Sequence, residues 1–295
     1  MDVSKSAVST GFRPSLPAII GLASWFRCMA PGKKSYFLVT ALALLLVLLP
    51  FLFWYETWFG RKLSDVQLTQ YFADAAHPRH GQHALVQLGE RLSRGADVSR
   101  WYPDVIRESL SPAVELRQTA AWIMGQVPGY PPFHAALLRL VRDPQPMVRR
   151  NAALALAAFR DPSARPELDA MLAPFTVSSP AAGVVHFRLK PGEYVNSGTL
   201  VARVGEAEIR AVVPGTAAVL VAREGASVRP GDPLIELAPD KNHVWEALRA
   251  LVLVGEPADL AAVSRFTRPI EGMPELLARQ AAETAAAIRT RNSAR

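Results

Sequence analysis

Three histidines, His77, His80 and His83, are the residues of this chain whose type and spacing best suit chemistry. A spacing of three brings imidazoles near one helical face, where they are candidate metal ligands. Pro78 lies where a helix would begin, and the single cysteine, Cys28, is remote. With no thiolate to complete a cage, the expectation is loop and helix-surface histidines, no metal and no cofactor. No glycine-rich loop is present to cradle phosphate, and no serine sits on a nucleophile elbow. Glu206 and Glu208 fall on an expected exposed turn, which suits solvated carboxylates better than a catalytic pair. Arg117, Arg149 and Arg150 are candidates for partner contact, or for bridges to acids of a neighbouring helix; nucleic acid is not expected. The chain is expected not to be an enzyme.

The elements that position these residues begin with a membrane anchor. The chain has 295 residues, 50% hydrophobic and 20% charged, with a net charge of +7. That composition excludes a disordered chain, and one cysteine excludes a disulfide-stapled miniprotein and a cysteine cage. From Phe37 to Tyr55 the sequence is almost wholly apolar, with Thr40 its clear exception. Such a run spans about 28 Å as a helix, close to the hydrocarbon thickness of a bilayer. Phe53, Trp54, Tyr55, Trp58 and Phe59 form an aromatic belt, and Pro50 is expected to kink the last turn. Lys5, Arg13, Arg27, Lys33 and Lys34 face only Asp2 on the N-terminal side. Beyond the run Glu56 and Asp65 offset Arg61 and Lys62. The charge bias orients residues 1–35 to the cytoplasm, the helix at 36–55, and the bulk in the periplasm of a bacterial inner membrane. The run is too long, and Trp54 to Trp58 too bulky, for a cleaved signal peptide. Met29 begins a compact basic leader of its own, so Met1 and Met29 are both candidate starts.

Residues 64–173 read as amphipathic helices punctuated by proline. Leu137, Leu138, Leu140 and Val141 form one apolar face, which Asp143-Pro144 ends. Val148, Ala152, Leu154, Ala155 and Leu156 form the next, ended by Asp161-Pro162. Pro112, Leu116, Arg117, Ala120 and Ala121 match Pro144, Val148, Arg149, Ala152 and Ala153 at an offset of 32. A weaker copy runs from His77-Pro78 through Ala84, Leu85 and Leu88. The run Asp143-Pro144 to Leu156 resembles HEAT repeats, most closely their short phycobilisome-lyase type. The resemblance implies a solenoid in which each helix pair buries its face against its neighbours, and a surface for protein partners. It does not carry over bilin-lyase activity, since no cysteine lies in this region.

Residues 174–239 change to valine, glycine and proline with strand-like alternation. Gly192, Val195, Gly198 and Val201 match Gly225, Val228, Gly231 and Leu234 at an offset of 33. Paired glycines at turns, twice over, give two similar halves. The doubled pattern resembles the biotinyl/lipoyl domain, a barrel-sandwich hybrid. That family carries its cofactor on a lysine in the hairpin joining the halves. Here Val204–Ile209 holds no lysine, and Lys190 sits on the first glycine turn instead. The link is also too short for the helical hairpin of membrane-fusion adaptors. The resemblance therefore implies an unmodified contact module.

Helical periodicity returns at 240–295, where Ala247, Ala250, Leu251, Glu256 and Pro257 match Ala152, Ala155, Leu156, Asp161 and Pro162. A further HEAT-like pair is expected there, making 174–239 an excursion from the solenoid, and a last helix over Pro274–Arg291. Trp101, Trp122 and Trp245 are expected in packing. The fold class is mixed: one N-terminal transmembrane helix, an α-helical HEAT-like solenoid and a small all-β biotinyl/lipoyl-like module. The expected function is a membrane-anchored periplasmic scaffold or adaptor for protein partners of an envelope complex, touching lipid through Phe37–Tyr55. The rivals are a transport-associated membrane-fusion-type adaptor and a metal- or cofactor-handling protein.

Overall fold

The computed structural model describes residues 33–57, 61–270 and 272–293. Lys5, Arg13, Arg27, Cys28, Met29, Trp58 and Phe59 lie outside the described residues. The chain divides into two units, Met1–Lys62 and Leu63–Arg295.

In the first unit, helix α1 (Lys33–Thr57) carries the apolar run without interruption at Pro50. Every described side chain, Phe37 to Leu52, is exposed. Among the described residues no helix is long and apolar enough to cross a membrane. The described side chains of α1 stop short of the ends of the expected span: those of Phe53, Trp54 and Tyr55 lie outside them.

Among its described residues the second unit holds ten α-helices in five consecutive pairs. These are α2 (Asp65–Ala73) with α3 (Pro78–Ser93), α4 (Tyr102–Glu108) with α5 (Val114–Gly125), and α6 (Pro131–Leu140) with α7 (Pro146–Ala158). Then come α8 (Arg165–Met171) with α9 (Lys241–Val254), and α10 (Leu260–Ser264) with α11 (Glu275–Ser293). Helices α3, α5, α7, α9 and α11 pack in one row, each on the next, and share one apolar core. Proline opens several of them, because its missing N–H costs nothing in the first turn. The Asp-Pro stops work through the aspartate. Asp143 accepts from the Gln145 N–H (2.8 Å) and Asp161 from the Ser163 N–H (2.8 Å), turning the chain before each next helix. Small residues set the helix spacing: a side chain on Gly125 would meet Ala155 Cβ at 2.8 Å.

Eight strands lie between α8 and α9: β1 (Phe175–Ser178), β2 (Gly183–Phe187), β3 (Tyr194–Val195), β4 (Leu200–Val204), β5 (Ala207–Arg210), β6 (Gly215–Leu220), β7 (Ser227–Val228) and β8 (Pro233–Pro239). They form two four-stranded antiparallel sheets, ordered β1-β8-β6-β3 and β5-β4-β2-β7. Advancing every strand of the first order by four positions, modulo eight, yields the second. The offset of 33 in the sequence is thus an internal two-fold in space. Val185, Val201, Leu234, Ile235 and Leu237 fill a core separate from that of the helices, with Met147 of α7 packed partly against it. Gly198 and Gly231 occupy equivalent turns at φ +87° and +92°, which a side chain disfavours.

Candidate functional site

The three arginines chosen from sequence lie in bridges within the folded unit, not on an open ridge. Arg117 of α5 donates from Nε to Asp143 Oδ2 (2.7 Å) and from Nη2 to Asp143 Oδ1 (3.1 Å). Its Nη1 also donates to the carbonyls of Ser111 and Pro112. Arg149 repeats the arrangement one pair later: Nε to Glu167 Oε2 at 2.8 Å, Nη1 to the carbonyls of Asp143 and Pro144. Each guanidinium thus closes the turn before its own helix and reaches a carboxylate of the following pair. Burial works against the Asp143 anion, but Arg117 and the Gln145 N–H outweigh it and hold its pKa below the ordinary value.

Arg150 departs most from the expectation of a partner contact. It is 5% exposed, where α7 meets the start of α9. Its Nη1 lies 2.8 Å from His243 Nδ1. A guanidinium only donates, so the imidazole nitrogen accepts. Burial, and then the Arg150 charge, lower the His243 pKa and keep the ring neutral for that role. Asp240 caps α9 through the N–H groups of Asn242 and His243 and accepts from Tyr194 Oη (3.0 Å). Arg150, His243, Asp240 and Tyr194 therefore join the helical row to the β module.

Across the insertion, Arg165 of α8 forks onto Asp259 (Nε to Oδ2 2.8 Å, Nη2 to Oδ1 2.8 Å) and reaches Glu256 Oε2 at 2.5 Å. Burial first, then the charge and hydrogen bond of Asp259, push the Asp169 carboxyl up to about 6.

One open apolar feature follows from no expectation drawn from the sequence. Trp122 on α5 is 50% exposed, although packing was its expected role. Its ring lies against Gly89 of α3, where an added Cβ would stand 2.4 Å away. Beside it runs a groove of about 590 Å³ between helices α5, α7, α9 and α11. Leu154, Ala158, Val252 and Leu253 line its floor, with Glu246, Arg249, Gln280 and Glu283 among its polar walls. A second, smaller depression, also bordered by Trp122 and Leu154, reaches Gln126 and Asn151. The signal for this face was the tryptophan at an alanine-rich helix surface, but the seat of its ring depends on glycine in the neighbouring helix.

Of the histidines, His77 and His80 come together and Asp74 joins them; His83 instead lies edge-on to Tyr71 with ring centroids 5.8 Å apart. At the β4–β5 hairpin, Glu208 is not merely solvated: Arg203 and Arg210 each donate to it at 2.7 Å. Glu206 is exposed at the tip.

The sequence profile of HEAT repeats matches residues 103–176, the stretch from α4 to the first strand. The chain thus carries HEAT repeats, next to a two-sheet β module, and repeats of this kind serve as protein-interaction scaffolds. No curated protein matches the chain.

Proposed function

We propose that the chain is a single-pass, membrane-anchored scaffold that binds a protein partner in the groove beside Trp122. The observation that carries the reading is a half-exposed tryptophan bordering an apolar floor with a polar rim. Tryptophan anchors in such settings dominate binding energies in protein interfaces. The arginines Arg117, Arg149 and Arg150 then serve the scaffold's rigidity, not the contact itself.

The apolar run Phe37–Tyr55 supports insertion of α1 in a bilayer, and the basic N-terminal flank supports a cytoplasmic leader with the bulk in the periplasm of a bacterial inner membrane. The doubled glycine pattern and the two-fold strand order support a biotinyl/lipoyl-like module. With no lysine on its hairpin, that module serves as an unmodified contact element within an envelope complex. No reaction or cofactor is assigned to it.

Photo-crosslinking tests the groove. A photoreactive residue at Leu154 or Leu253 should form a defined adduct in native membranes, and one at Leu110, exposed elsewhere, should not. Trp122→Ala should abolish the adduct while the protein stays folded at the labelling temperature by circular dichroism. Equal labelling at all three positions, or an adduct indifferent to Trp122, would rule out the groove as the contact.

A further inference from the structure

We propose that the corner between α2 and α3 is a divalent transition-metal site with Asp74, His77 and His80 as its protein ligands. This goes beyond the scaffold reading and does not depend on it.

Asp74 is the residue that ends α2, His77 caps the start of α3, and His80 is in its first turn. Pro78 fixes the backbone between the two histidines. One ligand atom from each residue falls within 4.8 Å of the others. His77 Nδ1 stands 2.9 Å from Asp74 Oδ2 and 3.0 Å from Oδ1, and His80 Nδ1 stands 2.7 Å from Oδ2. Both rings thus turn the same nitrogen onto one carboxylate. The His80 ring is held in that attitude by stacking on Tyr71, with centroids 4.3 Å apart and planes 14° from parallel.

Around a tetrahedral zinc, ligand atoms at about 2.0–2.1 Å from the metal stand roughly 3.3 Å from one another. The two histidine–carboxylate separations need to open by about half an ångström, within reach of small side-chain rotations. Two imidazoles and one carboxylate suit zinc, cobalt, nickel or copper over calcium or magnesium. Binding requires each neutral ring to carry its proton on Nε2, leaving Nδ1 for the metal. His77 is the most open of the three, at 67% side-chain exposure, so water can complete the coordination. The spacing of the histidines alone did not reveal this set, because the third ligand lies on the preceding helix and is not His83.

The test uses full-length, tag-free protein in detergent, stripped with a chelator and titrated with Co(II), then with Zn(II) in competition. One equivalent of Co(II) should give a saturable visible ligand-field spectrum that Zn(II) displaces. Asp74→Asn, His77→Ala and His80→Ala should each weaken binding by more than about tenfold, a loss that removal of a supporting residue alone can cause. His83→Ala and His186→Ala should bind as the parent does. His77 is exposed, so its variant should fold normally, which unchanged circular dichroism would verify. No saturable spectrum in the parent, or a spectrum indifferent to His77→Ala, would overturn the site; in that case the corner is only a hydrogen-bonded turn. Loss at His83→Ala with none at Asp74→Asn would overturn the ligand assignment.

Discussion

Replacing Asp169 with asparagine should stabilise the folded repeats at neutral and alkaline pH. Asp169 lies beside Asp259, and Arg165 is committed to Asp259 and Glu256. Burial and the Asp259 charge raise its carboxyl from the ordinary 3.8 to about 6. A group raised on folding binds its proton more tightly in the native state. It therefore favours the fold in acid, and that contribution is lost as pH rises from about 4 to about 6. Asp259 has the opposite sign: its carboxyl is lowered, so its contribution is present at neutral pH and lost in acid. A rise of roughly two units corresponds to at most about 3 kcal/mol at 1.36 kcal/mol per unit. Because the two carboxyls titrate as a pair, about 1–3 kcal/mol is the expected gain. Asparagine keeps the shape and offers Asp259 an N–H in place of the acid O–H. Urea unfolding of parent and variant, followed by circular dichroism across the pH range, measures the difference. It should be largest in alkaline buffer and shrink towards pH about 4. A variant less stable than the parent in alkaline buffer would show that Asp169 works as an anion, and the reasoning would be refuted.

Two further outcomes follow from the bridges and turns. Gly198→Val and Gly231→Val should each cost about 1–3 kcal/mol, from backbone strain alone, since open space surrounds both positions; calorimetry showing both silent would remove strain from these turns. Arg117→Ala should cost about 1.5–3 kcal/mol by leaving Asp143 and two carbonyls short of a donor, and Arg117→Lys should recover only part of it, because an ammonium cannot fork. Thermal melts of the three proteins decide it, and full recovery by lysine would count against the forked geometry.

The helix boundaries and the halves of the β module were legible because both depend on local rules. The Asp-Pro pairs at 143–144 and 161–162 follow the ends of α6 and α7, and the glycines at 198 and 231 mark turns that few other residues tolerate. Features set by distant neighbours were not legible. Arg150 looks like any surface arginine on a helix until α9 arrives from beyond the insertion to cover it. Arg165 and Asp259 are 94 residues apart and meet only because α8 and α9 pack together. Trp122 is exposed through the geometry of the helix row, and Asp74 reaches the histidines only once the α2–α3 turn has formed. Spacing along one helix cannot report a ligand supplied by another.

The position of the β module sets how α8 and α9 are joined. Helix α8 ends at Met171 and its partner α9 begins at Lys241, so the fourth pair would close a far longer loop than its neighbours. Yet β1 lies antiparallel to β8, with Phe175 opposite Leu237. Paired strands bring those positions within about 5 Å. Once the sheets have formed, the returning chain is delivered to the place it left, and α9 meets α8 as though a short turn joined them. Damage to the β1–β8 pairing should therefore loosen the docking of α9, α10 and α11 on the first three pairs.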